Sequence, residues 1–276
     1  MSQDTLTPDS VPTADGMPVL GLGTWQNEDH DQCADSVATA LEMGYRHIDT
    51  AQAYGNEAAV GDGIAQADVD REDVFLATKV WISNLAHDDV LSSTEASLEK
   101  LGVDYVDLLY VHWPSGEYDP EGTLSALDQL VDGGKVKNVG VSNFEPEHVD
   151  EAIETLDADV FANQFECHPL LPQEELRAHC DDAGVNVVAY SPLARGRVFD
   201  VPEVQRVAEK HDASAAAVSL AWLREKGVTV IPKATSEDHI RDNWTSLSVD
   251  LDADDVAAID AIDERERAVD PDFAPW

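Results

Sequence analysis

Along this chain, short apolar runs alternate with longer stretches whose apolar residues recur every three or four positions. Runs such as VDLLYVH and VNVVAYS are apolar almost throughout, as parallel strands buried on both faces should be. The intervening stretches have helical spacing and helix-ending glycines, as at Gly44 and Gly133-Gly134. Turn residues at Asp15-Gly16 predict a short hairpin leading into a first barrel strand near Val19. Further strands are expected over 46–49, 74–80, 105–112, 136–142, 160–163, 185–191 and 227–233. Helices are expected between them, over 31–43, 57–67, 88–101, 123–131, 146–155 and 173–183. A pair over 202–211 and 215–226 precedes the last strand, and helices near 237–244 and 253–265 close the chain.

Eight short strands separated by helices predict an α/β fold: a (β/α)8 TIM barrel with an N-terminal β-hairpin and two extra helices. No composition break marks a boundary, so residues 1–276 are expected to form a single domain. A doubly wound sheet is disfavoured because no GxGxxG opens the first helix; GLGTW follows a strand, but Thr24 and Trp25 do not complete that fingerprint.

Charge changes the picture of the surroundings. The chain has 56 Asp plus Glu against 17 Lys plus Arg, a net −39. Such a surface repels nucleic acid and anionic lipid and excludes both as partners. The acids are spread along the chain, as in DADDVAAIDAIDERE, which describes a solvated face rather than a disordered tail. Self-repulsion of this size is relieved at molar salt, where the Debye length falls to about 3 Å. A halophilic protein working in a salt-rich cytoplasm is therefore expected. The opening MSQDTLTPDSVPTADG has no basic and apolar regions of a signal peptide, and no apolar run approaches the ~20 residues needed to span a bilayer. Cys33, Cys167 and Cys180 lack CxxC spacing and are expected to be buried, reduced thiols.

Polar groups then accumulate at strand ends. Asp49, Lys79, His112, Asn143, Gln164, Tyr190 and Lys233 all fall at or next to the carboxyl ends of expected strands, where barrel enzymes carry their chemistry. Each has a plain alternative when taken singly. Asp49 would cap a loop, Tyr54 pack as an aromatic, Lys79 lie on the surface, and His112 be a satisfied core histidine. Together they compose a proton-transfer device. Asp49 would hold Lys79; the Lys79 ammonium would lower the pKa of the Tyr54 phenol; Tyr54 would donate a proton to a substrate oxygen that a neutral His112 also hydrogen-bonds. His47 and Asp49 alternate on one strand, but Asp49 is better used in this device. Cys167 and His168 should point apart, so no metal site is expected.

In these surroundings the chain resembles the aldo-keto reductase family along nearly its whole length. The stretches that carry the resemblance are MPVLGLGTW, GYRHIDTAQAYGNE, ATKVW, DLLYVHWP, VKNVGVSNF, NQFECHP, AYSPLARG and VIPKATSEDHIRDN. It implies a catalytic tetrad of Asp49, Tyr54, Lys79 and His112, with Tyr54 as general acid, and a nicotinamide nucleotide lying across the barrel mouth. It further implies that Ser142, Asn143 and Gln164 hold the carboxamide and that Tyr190 stacks on the ring. Thr24, Ser191 and Leu193 would line the ribose and pyrophosphate path. Trp25, Ala53, Trp81 and Trp113, with His112, match substrate-pocket positions.

Two departures bear on specificity. Lys233 matches the lysine that pairs with the 2′-phosphate of NADP, followed here by Ala234 and Thr235. His239 stands where an arginine usually clamps that phosphate, while Asn243 keeps the adenine position. A neutral histidine offers no bidentate fork. NADP(H) is expected, with NAD(H) tolerated. The short stretch after His112 and the short tail DPDFAPW predict a shallow, open pocket for small aldehydes and ketones. A monomeric, cytoplasmic reductase is the expected whole. Two alternatives remain at this point: a nicotinamide-nucleotide-sensing regulatory module, and a Schiff-base barrel lyase using Lys79.

Overall fold

The computed structural model of the chain describes Thr7 and residues 11–276. Most of the segment expected to lack a signal peptide lies outside the described residues. Ten strands and ten helices are named here in chain order. The first are β1 (Thr13–Ala14), β2 (Met17–Pro18), β3 (Leu22–Gly23), α1 (His30–Met43), β4 (His47–Asp49), α2 (Glu57–Gln66), β5 (Phe75–Val80) and α3 (His87–Leu101). Next come β6 (Val106–Val111), α4 (Pro120–Asp132), β7 (Val136–Ser142), α5 (Pro146–Thr155), β8 (Val160–Glu166) and α6 (Glu174–Asp182). The chain finishes with β9 (Asn186–Tyr190), α7 (Pro202–His211), α8 (Ala215–Glu225), β10 (Thr229–Val230), α9 (Glu237–Thr245) and α10 (Ala253–Asp260).

Strands β3 to β10 form one eight-stranded parallel sheet in sequence order. The sheet curls until its two edge strands meet: Leu20 bridges Val230 and Gly23 bridges Lys233, both parallel. Gly21 N donates to Val230 O and Val230 N to Val19 O, each at 2.9 Å. The closure depends on Gly23, where a Cβ would come within 2.6 Å of the Ile231 carbonyl oxygen. This is the arrangement of a (β/α)8 barrel, in which the two edge strands of the sheet pair with each other.

Strand alternation sorts the core into two parts. Leu76, Val80, Leu109, Val111, Val139 and Val141 join the large cluster that also takes in the helices. Ala77, Leu108, Tyr110, Ala162, Val188 and Ile231 form a separate inner cluster with Met17. Met17 belongs to β2, which pairs antiparallel with β1 across a turn at Asp15 and Gly16, so this pair plugs the amino-terminal end of the barrel. Helix α1 shows how the outer layer forms. Asp29 caps it by accepting from Gln32 N, Cys33, Val37, Ala40 and Leu41 bury one stripe, and Gly44, at φ 123°, ends it.

Two helix boundaries differ from expectation by more than one residue. Helix α4 starts earlier, because Asp119 caps it by accepting from Gly122 N at 2.9 Å and Pro120 suits its first turn. Helix α10 stops at Asp260, well before residue 265. The residues after it supply only Ile262 to the core, and Glu266 N donates instead to Leu170 O at 2.9 Å, drawing the tail over the barrel mouth. All three cysteines are free and buried, and burial pushes the Cys167 thiol up to about 12. Among the described residues, no helix is long and apolar enough to cross a membrane.

Candidate active site

The inner faces of β5, β6 and β8 end in polar side chains at the carboxyl rim. Along β5 the inward positions read Phe75, Ala77, Lys79; along β6 and the residue after it they read Leu108, Tyr110, His112. Along β8, Ala162 is followed by Gln164 and Glu166. The register sets Lys79 beside Tyr110 and Ser142 beside Gln164. His112 N continues the ladder by donating to Val80 O at 3.1 Å.

Lys79 is fully buried, and its three ammonium hydrogens have three acceptors. Its Nζ donates to Asp49 Oδ1 at 2.5 Å, to Thr50 O at 2.8 Å and to Tyr54 Oη at 3.4 Å. Asp49, also buried, accepts on its other oxygen from Gln164 Nε2 at 2.8 Å. The His112 ring meets Tyr54 edge-on at 5.9 Å between centroids and Trp81 at 5.1 Å.

Local sequence holds Tyr54 in this position. It ends a 3-10 turn over Gln52–Tyr54, which Gly55 leaves in the left-handed region at φ 69°. Gln52 ties that turn down: its Oε1 accepts from Trp81 N at 3.0 Å and Asn84 Nδ2 at 2.9 Å. Asn56 staples the next residues, donating to Thr24 O at 2.8 Å and accepting from Thr50 Oγ1 at 3.1 Å. Beneath them, the buried Glu57 accepts from Thr78 Oγ1 at 2.8 Å and Ser97 Oγ at 3.2 Å.

The electrostatics differ from expectation in one respect. Tyr54 is partly exposed, yet its setting at the cavity floor raises its pKa well above 10. Burial is the main cause, followed by the charge of Asp49 and by Tyr190. The acidifying influence expected of Lys79 is therefore outweighed, because the same pocket that brings the ammonium near also strips water and holds a carboxylate. Burial likewise lowers the Lys79 pKa against the opposing pull of Asp49. His112 is pushed well below 6.5 by burial and then by Lys79, so its ring is neutral at pH 7; its Nδ1 is buried with no partner among the described residues.

These groups face a cavity of about 1110 Å³ at the carboxyl ends of the strands. Of the residues singled out in the sequence, Thr24, Trp25, Asp49, Ala53, Tyr54, Trp81, His112, Trp113, Asn143 and Gln164 line it. So do Tyr190, Ser191, Leu193, Lys233, His239 and Asn243. Lys79, Ser142 and Thr235 do not. Lys79 lies beneath the floor, and Ser142 turns its hydroxyl to Gln164 O at 2.8 Å. Asn143, at φ 63°, donates to His112 O at 3.0 Å and accepts from Tyr190 Oη at 2.7 Å.

The short tail, expected to leave the pocket open, contributes a wall to it. Val269, Asp270, Pro271 and Phe273 line the cavity. The Phe273 ring packs edge-on against Trp81 at 5.9 Å and Trp113 at 5.3 Å, and Trp276 lies 5.5 Å from Trp113. No periodicity in DPDFAPW marks this contact; two aromatics in the last residues are its only sequence signal. Gln52 and Glu166 were also missed as organising residues, although Glu166 shares a strand face with Gln164.

The cavity's cations bear on what it can hold. Lys233 and Arg195 line it, and neither forms an ion pair among the described residues, despite 56 acidic side chains in the chain. Arg195 instead stacks over Trp25 at 4.5 Å. Two unpaired cations along a cavity of this volume, with the Asn143 and Gln164 amides at its floor, fit a phosphate-bearing dinucleotide with an amide-bearing ring. Among the described residues, no group of three or more His, Cys, Asp or Glu is arranged to hold a metal.

The aldo/keto reductase family model matches residues 19–264. The chain is 40% identical over 259 residues to the methylglyoxal reductase DkgB of Escherichia coli O157:H7, covering 93% of this chain and 97% of that one. It is 39% identical over 251 residues to the glyoxal reductase of Bacillus subtilis (strain 168), covering 91% of each. Among solved structures, a Bombyx mori aldo-keto reductase in complex with NADP superposes with a TM-score of 0.86 at 33% identity, covering 92% of each chain.

Proposed function

This chain is an enzyme of the aldo/keto reductase family, whose members use nicotinamide cofactors, and from that premise we propose that it reduces small aldehydes and ketones to alcohols with NADP(H). The observation that carries the proposal is the Tyr54 hydroxyl 3.4 Å from Lys79 Nζ, on the floor of a cavity it shares with His112. A bound reduced nicotinamide supplies the hydride that such a reduction needs.

Tyr54 is the general acid. Its high pKa keeps it a phenol through the neutral range, the form a proton donor must hold before the step. On transfer, negative charge develops on Oη, and the Lys79 ammonium is already hydrogen-bonded to that oxygen. Asp49 fixes the ammonium, and Gln164 in turn fixes Asp49. His112, neutral, offers a hydrogen bond to the carbonyl oxygen and orients it. Trp25, Ala53, Trp81 and Trp113 shape the substrate end, which suits small dicarbonyls of the kind named for the glyoxal and methylglyoxal reductases.

For the cofactor, Asn143, Gln164, Tyr190 and the supporting Ser142 would hold the nicotinamide, with Thr24, Ser191 and Leu193 along the path to the pyrophosphate. Lys233 would meet the 2′-phosphate, with Thr235 and His239 near it and Asn243 at the adenine. We favour NADP(H) because Lys233 forms no ion pair among the described residues; His239 in place of a guanidinium makes NAD(H) tolerated. The chain would act as one domain and as a monomer, in a cytoplasm at molar salt. A Schiff-base role for Lys79 would need its Nζ in the cavity, whereas it is fully buried with three acceptors.

The test is nucleotide oxidation with methylglyoxal and a panel of aldehydes, with NADPH and NADH compared, in molar KCl and in dilute buffer. Carbonyl-dependent oxidation that favours NADPH and fades with the circular dichroism signal as salt is withdrawn is expected. Nucleotide binding without turnover of any carbonyl would indicate a sensing module instead. Trapping of substrate on the protein by borohydride would indicate the lyase.

A further inference from the structure

Glu166 ends β8, two residues beyond Gln164 on the same strand face, yet it does not line the cavity. Its carboxylate is fully buried and fully occupied. Oε1 accepts from Ala268 N at 2.7 Å and Oε2 from Val269 N at 2.8 Å; His168 Nε2 lies 2.8 Å from Oε1, and that ring too is fully buried. Two consecutive backbone N–H groups of the C-terminal segment thus converge on one side chain at the barrel rim. Directly beyond them, Asp270, Pro271 and Phe273 form the cavity wall, and Phe273 packs on Trp81 and Trp113. Just before them, Glu266 accepts from Arg197 at 2.7 Å, linking the segment to the loop that carries Leu193 and Arg195.

We propose that Glu166 is a positioning residue that latches the C-terminal segment across the cavity and thereby sets which carbonyl compounds are held well. The selectivity part rests on the reading of the enzyme as a carbonyl reductase; the latch itself does not. The segment has no regular secondary structure of its own, so its place depends on tertiary contacts. A buried carboxylate bonded to two N–H groups is the strongest of these, because water cannot compete at that depth, and its removal leaves both donors unsatisfied. A large aromatic aldehyde would lie against the wall that Phe273 completes, whereas a three-carbon dicarbonyl needs only the tetrad and the floor. Releasing the latch should therefore penalise large substrates selectively.

The experiment compares the unmodified enzyme with Glu166→Ala, Glu166→Gln, Phe273→Ala and the double variant E166A/F273A, in molar KCl with NADPH. It measures amide hydrogen exchange, nucleotide Kd by tryptophan fluorescence, and kcat and KM for methylglyoxal and 4-nitrobenzaldehyde. In Glu166→Ala, protection should be lost in the peptide covering 266–276 alone. KM for 4-nitrobenzaldehyde should rise about tenfold while kcat/KM for methylglyoxal stays within about twofold. Glu166→Gln, which keeps one acceptor, should fall between. The double variant should add little to Phe273→Ala, because both act through one wall. Unchanged exchange in the tail, equal losses for both aldehydes, or protection lost throughout the barrel would overturn the latch. So would full additivity with Phe273→Ala. If Glu166→Ala does not fold, Glu166→Gln must show the same split at smaller size. Should the unmodified enzyme reduce neither aldehyde, the carbonyl reading fails, and the exchange data still decide the latch.

Discussion

At the amino-terminal end of the barrel, Met17 joins the inner apolar cluster, Phe75 stacks on Phe161 at 6.1 Å, and the His47 ring packs edge-on against Phe75 at 5.2 Å. At the carboxyl end, the same inner strand faces carry Asp49, Lys79, His112, Gln164 and Glu166, all buried. One end is filled by the hydrophobic effect and needs no particular chemistry. The other holds charges whose desolvation costs more than their mutual attraction returns unless every lone pair and hydrogen is matched. For the charged groups the matching is met: Lys79 has three acceptors, and both oxygens of Asp49 and of Glu166 are taken, while the neutral His112 keeps its Nδ1 unpartnered among the described residues. A barrel can afford such a rim because its opposite end and outer layer are apolar. Chemistry should therefore be confined to the carboxyl end, while the amino-terminal end contributes stability alone.

The largest break of that contrast is Lys79→Met. It leaves Asp49 buried without its cation, so unfolding in molar salt should become easier by about 3–5 kcal/mol. It also removes the group that receives phenolate charge, and turnover should drop by about 10³-fold. Chemical denaturation and steady-state assays on the soluble fraction check both. Next comes Met17→Ala at the lower end. Loss of a fully buried side chain should cost about 3 kcal/mol of stability. Turnover per folded molecule should stay unchanged; a parallel fall in kcat would show that the two ends are not separable.

The smallest effect is a pH dependence. Burial lowers the pKa of both His47 and His112 below 6.5, so the unfolded chain takes up protons before the folded one does. Their neutral burial costs nothing extra above about pH 6.5, and stability falls as the pH drops below it toward their folded values. Reduction should hold a plateau through the same window, because Tyr54 stays protonated and His112 neutral. Melting temperature and kcat/KM measured between about pH 5 and pH 9 separate the two trends. A rate that follows a histidine titration near neutrality would contradict the neutral His112.

Much of this contrast was legible in the residues. Runs such as VDLLYVH announce strands buried on both faces, and a polar residue ending an apolar run marks the rim, as with Lys79 and His112. Period-two alternation would also have paired Glu166 with Gln164. Other features depend on contacts distant in sequence. Gln52 organises the Tyr54 turn through Trp81 and Asn84, and the tail's wall is held by contacts to Glu166, Leu170 and Arg197 that no local pattern marks. The Tyr54 pKa departs from expectation because proximity of a lysine can be read from motifs, whereas the burial that opposes it cannot. The early end of helix α10 is likewise hidden from local pattern: the residues just past its expected end, Glu266 and Ala268, bond to Leu170 and Glu166.

Replacing Tyr54 by Phe tests the central claim most directly, with kcat/KM for methylglyoxal and NADPH affinity measured on the same preparation in molar KCl. The expected result is a loss of turnover of about 10²–10⁴-fold with nucleotide affinity within a factor of about two. Turnover equal to that of the unmodified enzyme would contradict Tyr54 as the proton donor.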